Sequence, residues 1–389
     1  MNDSFRDFIK DLKQSQQKAQ QRGAELIAAS DVKPKSKDWL WEGHLLRGAL
    51  ELLSGLPGLG KSQVQINLVA CVTAGLPWPD GTAGMQPANV IMLTAEDVLD
   101  QEVIPRLIAA KADLKRVHIL KCIKSDGAGR QFLLGEDLDV LEKAIIQIGD
   151  VALVTIDPIT AYMGGKIDSH KATEVRSQLG PLKDFAERMN VAISAITHPP
   201  KSSSQKAIDH FIGSQAFIAA GRIGHVCIEE IDEKDKKTGR ILFTHAKHNP
   251  SIQMPTLAYQ VVAAIIGQDE ESQLPITAPH VVWDKDSVDI TADEAVWAAA
   301  GLGKQRGKQE AVQTFLCEIL KSGQPVAAKD IIAAAGKHGF SERQLRTARA
   351  KLHVVCEQRA DGWWWQLVPF LSGKKPTWVP GVPPKRLLS

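Results

Sequence analysis

From Trp39 to about Ala264 the chain alternates short, continuous apolar runs with longer helical stretches. The runs are ALELLSG, NVIMLTAED, VHILKC, VALVTIDP, VAISAITHPP, IGHVCIEEID, RILFTHAKHN and TLAYQVVAA. Short strands that stay apolar at consecutive positions are buried on both faces, which predicts a mostly parallel sheet between two layers of helices. Residues 38–264 are therefore expected to form one α/β domain.

The flanking segments read differently. Residues 1–37 are rich in Gln and Lys and predict a helical or disordered arm. Residues 265–307, with Pro275, Pro279 and the glycines of AAAGLGKQRGK, are expected to be a linker. Residues 308–369 predict three helices, the last opened by Ser341 with Gln344 three residues on, a capping box. Two strands around Asp361-Gly362 follow, in the order of a small winged-helix domain. Alternation along the second strand predicts Trp363 and Trp365 packed against the helices and Trp364 facing out. Residues 370–389 are a proline-rich tail.

Charge adds a polarity to this layout. The net charge of the chain is +2, but residues 301–389 hold 15 Lys and Arg against 6 Asp and Glu. The C-terminal piece is thus the better candidate for contact with a polyanion. No run of about 18 apolar residues is present, and the N-terminus MNDSFRDFIKDLKQSQQKAQQR is polar and mixed in charge, so neither a membrane span nor a secretory signal is expected. A cytoplasmic location is the expectation. The five cysteines are scattered without a CxxC pair, which argues against a disulfide framework and against a zinc site.

The strongest chemical signal is Gly55-Leu56-Pro57-Gly58-Leu59-Gly60-Lys61-Ser62, which satisfies GxxxxGK[ST] between a predicted strand and a predicted helix. In such a loop backbone N–H groups at a helix N-terminus surround a phosphate, and Cβ atoms at the glycines would block its approach. Lys61 would reach the β- and γ-phosphates of ATP, and Ser62 would hold Mg²⁺. Asp157, at the end of VALVTIDP, is the expected acid of the magnesium shell.

Several blocks in order resemble the RecA/DnaB-type P-loop ATPases, and specifically the RepA-like hexameric helicases of plasmids and prophages. These are WLWEGHLLRGALELLSGLPGLGKSQ, NVIMLTAEDVLDQEVIPRL, LVTIDPITAYMGG and ISAITHPPKSSSQKAIDHFIGSQAFIAAGRIGHV, and the resemblance covers about residues 39–264. It implies a general base at Glu96, with Asp97 as the alternative, and a γ-phosphate sensor at His198. It implies arginines acting on a neighbouring subunit's site, for which Arg106 and Arg222 are the candidates, and a similar role for Lys247. Where DnaB-type proteins often carry Lys-x-Arg, this chain has Lys247-His248-Asn249, which shifts weight to Arg222. It also implies a loop, Pro199 to Asp209 with Lys201 and Lys206, that faces single-stranded DNA in the channel of a ring, although a solvated loop reads equally well. In the C-terminal helix, Arg343, Arg346 and Arg349 are candidates for duplex DNA, or for a protein contact.

Two functions follow. One is a ring-forming, Mg²⁺-dependent ATPase acting on DNA, a homo-oligomer, expected hexameric, working as the replicative helicase of a mobile element. The other is an ATP-switched DNA-binding regulator, or a helicase-loading or partition-type protein that does not unwind.

Overall fold

A computed structural model describes residues 27–125, 128–165, 167, 171–200, 206–211, 215–232, 234–250, 254–301 and 303–367. The first 26 residues of the predicted arm, Lys201 and the tail at 370–389 lie outside them. Residues 27–37 of the arm are exposed and hold one short 3-10 turn, Ala29–Asp31.

The short strands β1 (Trp39–Trp41) and β2 (Leu45–Leu46) lead into β3 (Leu50–Gly55). Next come α1 (Lys61–Ala74), β4 (Asn89–Thr94), α2 (Ile104–Ala109), β5 (Val117–Ile119), a small hairpin of β6 (Ile123–Ser125) and β7 (Ala128–Arg130), and α3 (Leu138–Ile148). β8 (Val151–Asp157), α4 (Ala172–Met189), β9 (Ala192–Ile196) and α5 (Gln215–Ala220) follow, and β10 (Ile223–Ile231), β11 (Lys237–His248), β12 (Leu257–Gln268) and β13 (Pro275–Trp283) complete the sheet. Nine strands lie in the order β13-β12-β11-β10-β3-β9-β8-β4-β5. From β10 to β5 every pairing is parallel, and β11, β12 and β13 extend the edge antiparallel.

The apolar runs are continuous because successive residues serve different cores. Leu52, Ile91, Leu93, Val154, Ile156 and Ile193 point to one buried cluster, which includes Leu141 and Ile145 of α3 and Leu179 and Leu182 of α4. Leu53, Val90, Met92, Leu153, Ala192 and Ile196 point to the other, with Val64, Leu68 and Val72 of α1. A period of two, read against two apolar layers, erases the polar positions of an ordinary amphipathic strand. Among the described residues no helix is long and apolar enough to cross a membrane.

The expected linker at 265–307 is different in the structure. β12 runs on to Gln268, and β13 returns beside it in register from Tyr259↔Trp283 to Gln268↔Pro275. Pro275 and Pro279, which suggested a linker, sit on the edge strand of the sheet, the position in a sheet where proline is tolerated. A further helix, α6 (Ala292–Ala299), begins with a complete capping box of Thr291 and Glu294. It buries Ala292, Ala295 and Val296 in the first core.

Beyond it, α7 (Gly303–Leu320), β14 (Val326–Ala327), α8 (Ala328–Lys337), α9 (Glu342–Lys351), β15 (Val355–Arg359) and β16 (Gly362–Gln366) occur in the expected order, with β14 added. They enclose a core of their own around Val312, Leu316, Ile331, Leu345 and Trp365. The expected tryptophan pattern holds at Trp365, which is buried, and fails at Trp363, which is 54% exposed. Trp364 is half-buried instead, its Nε1 donating to Asp361 at 2.9 Å while the Arg359 guanidinium lies over its ring.

Candidate functional site

Four neighbouring parallel strands, in spatial order β3, β9, β8 and β4, end on the same side of the sheet, and each delivers one element of the site. β3 ends in Gly55 at the start of the glycine loop, and β8 ends in Asp157. His198 lies two residues past β9, and Glu96 two residues past β4. The register holds them level: Leu53 pairs with Ile196, Ile156 with Ala195, and Thr94 with Asp157. Thr197 N–H donates to Leu53 O at 2.9 Å, and Ala95 N–H to Asp157 O at 3.1 Å. The carboxyl edge of a parallel sheet is where open α/β proteins place their ligands.

The loop between β3 and α1 takes its shape from three glycines with positive φ. At Gly55 (φ 151°) a Cβ would meet Cys227 O of β10 at 2.6 Å, and at Gly60 (φ 74°) it would meet Val261 Cγ2 of β12 at 2.7 Å. Only Gly58 (φ 83°) opens on space within 4 Å. All three glycines were expected to serve the approach of a phosphate; at Gly55 and Gly60 the protein's own strands already require the missing side chain. Tyr259 Oη, also on β12, donates to Leu59 O at 2.5 Å and fastens the loop to the antiparallel part of the sheet.

Lys61, the first residue of α1, is buried, and its Nζ donates to Gly55 O at 2.8 Å and Leu56 O at 2.9 Å. Burial lowers its pKa, and Cys227, Asp157 and Glu96 raise it in opposition. The carboxyl of Asp157 is pushed up to about 6 by burial, against a hydrogen bond from the adjacent Ser62 hydroxyl; Asp97 and Glu96 raise it further. His198 is half-buried, and burial with the nearby Lys61 charge holds it below its usual value while Glu96 pulls it up. Its Nδ1 has no hydrogen-bond partner among the described residues. The structure thus gathers Lys61, Ser62, Glu96, Asp157 and His198 into one electrostatic neighbourhood.

Glu96 and Asp97 are separated by their surroundings. Glu96 is exposed, whereas Asp97 accepts from Arg106 Nη1 at 2.5 Å. Arg106 also contacts Glu102 at 3.3 Å, and with its amide turned to match, Gln63 accepts from Arg106 Nε at 3.0 Å and donates to Pro279 O at 2.9 Å. Arg106 is therefore committed within its own chain, contrary to the expectation of an arginine presented to a neighbour. Arg222 is exposed and immediately precedes β10, at the opposite end of the sheet. Since Ile223 pairs with Glu51 and Cys227 with Gly55, Arg222 lies five strand positions, about 16 Å, from the level of its own loop. Lys247 is tied down as well: its Nζ donates to Ile218 O at 2.5 Å and Gly221 O at 2.6 Å, capping the carbonyl end of α5. Burial and the neighbouring Arg222 lower its pKa.

Of the predicted DNA contacts, Lys206 is exposed beside a segment fixed to α6 through Ala207 N–H and Asp293 Oδ1 at 2.8 Å. On α9, Arg343 is exposed, Arg346 pairs with Glu342 at 3.5 Å, and the Arg349 guanidinium lies 5.1 Å from the Trp365 ring centroid.

Residues 15–204 match the AAA domain family model. The match, just under half of the chain, takes in the glycine loop, Glu96, Asp97, Arg106, Asp157 and His198, and ends before Arg222 and Lys247. Among solved structures, one described as an ATPase domain aligns at 11% identity over 55% of this chain and 81% of that one, with a TM-score of 0.40. A search of the curated proteins finds no match. The family match and the parallel sheet with its glycine loop together support a P-loop ATPase domain.

Two features of the folded chain were not anticipated from the sequence. One is the antiparallel extension that grips the loop through Tyr259 and Val261. The other is a buried polar cluster around Glu51, signalled only by a lone acid inside an otherwise apolar strand.

Proposed function

We propose that the chain is a Mg²⁺-dependent ATPase of RecA-like type that works on DNA as a ring-forming motor, in the manner of a replicative helicase. The observation that carries this reading is the alignment of Lys61, Asp157, Glu96 and His198 at the carboxyl ends of adjacent parallel strands.

The donors at Ser62 and Asp157 are hard oxygens in contact with each other, which suits Mg²⁺. The cation would neutralise charge on the β- and γ-phosphates and orient them. The Lys61 ammonium is held by two loop carbonyls, and phosphate oxygens would take over those contacts. Glu96, exposed and without the arginine that neutralises Asp97, is the better base: it accepts a proton from water as the oxygen attacks the γ-phosphorus and ADP leaves. His198 contacts the γ-phosphate in this scheme and reports its loss. Arg222 lies too far from its own loop to assist it, which favours action on a neighbouring subunit. Residues 38–299 would form the motor and 303–367 a winged-helix module whose Arg343 and Arg346 approach DNA.

The test is ATP turnover together with displacement of a strand from a forked duplex and particle mass in solution. Wild type is expected to turn over ATP and unwind as an oligomer, and Lys61→Ala to do neither. Equal turnover in Lys61→Ala refutes the ATPase; turnover by a monomer that never unwinds favours the ATP-switched DNA-binding protein.

A further inference from the structure

Behind the glycine loop, three histidine side chains converge in the interior. His44 comes from the turn between β1 and β2, His225 from β10 and His245 from β11, where His225 and His245 are direct cross-strand partners. All three are 3% exposed or less. His225 Nε2 lies 3.2 Å from His44 Nδ1 and 2.9 Å from His245 Nε2, and each of the three rings offers a nitrogen within 4.8 Å of those of the other two. The opposite nitrogen, His225 Nδ1, is 2.8 Å from Glu51 Oε1, and Glu51 Oε2 accepts from Ser194 Oγ at 2.6 Å. Gln65 donates in turn to Ser194 Oγ at 3.2 Å. The Gly43 carbonyl stands 3.2 Å from His245 Nε2.

We propose that His44, His225 and His245 form a buried structural site for a divalent transition metal of the Zn²⁺ class, with Glu51 orienting His225 from the outer shell. Proton counting favours a cation here. An imidazole nitrogen has one in-plane lone pair or one N–H, so His225 Nε2 can satisfy only one of its two nitrogen neighbours by hydrogen bonding. A cation between the rings serves all three lone pairs together. The spacing agrees. Nitrogens at about 2.0–2.1 Å from tetrahedral Zn²⁺ lie about 3.3 Å apart, and the two short separations here are within a few tenths of that.

The outer shell is also of the right kind. A ligating histidine characteristically donates its other N–H to a carboxylate, which fixes the tautomer and aims the lone pair at the metal. Glu51 holds that position toward His225, and it is itself held by Ser194 and Gln65. All three rings are buried, away from water that would solvate an imidazolium, and the neutral imidazole is the form that binds metal. Imidazoles without thiolate or carboxylate ligands select zinc-like ions over Mg²⁺ or Ca²⁺. The Gly43 carbonyl is the available fourth donor, and His248 Nε2 donates to it at 2.6 Å. Scattered cysteines pointed away from zinc; the folded chain supplies nitrogen ligands from three separate segments instead. Such a site would pin the turn between β1 and β2 to β10 and β11, independently of whether ATP is hydrolysed.

The full-length chain, dialysed against chelator and then exposed to Zn²⁺ or Co²⁺ alone, provides the test. The expected results are about one Zn²⁺ per chain by elemental analysis, visible d–d bands of tetrahedral Co²⁺, and a rise in melting temperature with Zn²⁺. His44→Gln should lose the cobalt bands, while Glu51→Gln should retain them with affinity reduced roughly 10- to 100-fold. Wild type that takes up no metal, or whose Co²⁺ spectrum is octahedral or unchanged in His44→Gln, overturns the proposal. The wild-type arm decides the matter even if a variant does not fold.

Discussion

Asp157 offers a sharp test because its binding role and its folded environment pull in opposite directions. Burial raises its carboxyl from 3.8 to about 6. At about 1.36 kcal/mol for each pH unit of that difference, holding it ionised in the metal-free protein costs about 3 kcal/mol of stability. The native state binds this proton more tightly than the unfolded chain, so the contribution is fully present below pH 3.8 and is lost as pH rises through about 6. Asp157→Asn removes the titration. Without Mg²⁺, the variant should gain on wild type by about 3 kcal/mol as pH goes from below about 4 to neutrality. Urea denaturation of both proteins across that range, at equal m-values, measures the gap, and the other titrating groups cancel in the difference. Adding Mg²⁺ with ATP at neutral pH should stabilise wild type and leave the variant behind. A gap that stays constant with pH, or that widens on acidification, refutes the assignment of a buried, unfavourably ionised carboxylate.

Two further outcomes test the surroundings of the site. Gly60→Ala should cost about 1–2 kcal/mol from its positive φ and more from the 2.7 Å approach to Val261, so Val261→Ala should recover part of the loss in thermal denaturation; absence of any recovery removes β12 from the account. Inactive Glu96→Gln subunits mixed with inactive Arg222→Ala subunits should regain part of the ATP turnover if the arginine serves a neighbour, and no recovery at any ratio counts against a shared site.

Much of the fold is legible in the sequence because the parallel strands are short, apolar throughout and punctuated by helices. GxxxxGKS, Asp157 and His198 are legible for the same reason: each stands at the end of such a run. The antiparallel extension is less so. β12 past Ala264 and β13 carry exposed faces, edge prolines and no distinctive composition, so a linker reading competes on equal terms until Tyr259 and Trp283 are seen in register. The commitments of Arg106 and Lys247 are invisible in the sequence. Arg106 meets Asp97 nine residues earlier through the turn into α2, and Lys247 reaches carbonyls 26 and 29 residues back. Candidate roles by order along the chain cannot anticipate which cations the fold has already engaged.

The bond from Tyr259 to Leu59 makes the glycine loop part of two bodies. A phosphate seated in the loop would meet backbone that Tyr259 ties to β12, a strand paired in turn with β13 at the far edge of the sheet. The edge strand would then share in fixing the backbone of the loop, so a contact made on β13 would bear on the same backbone that a phosphate meets.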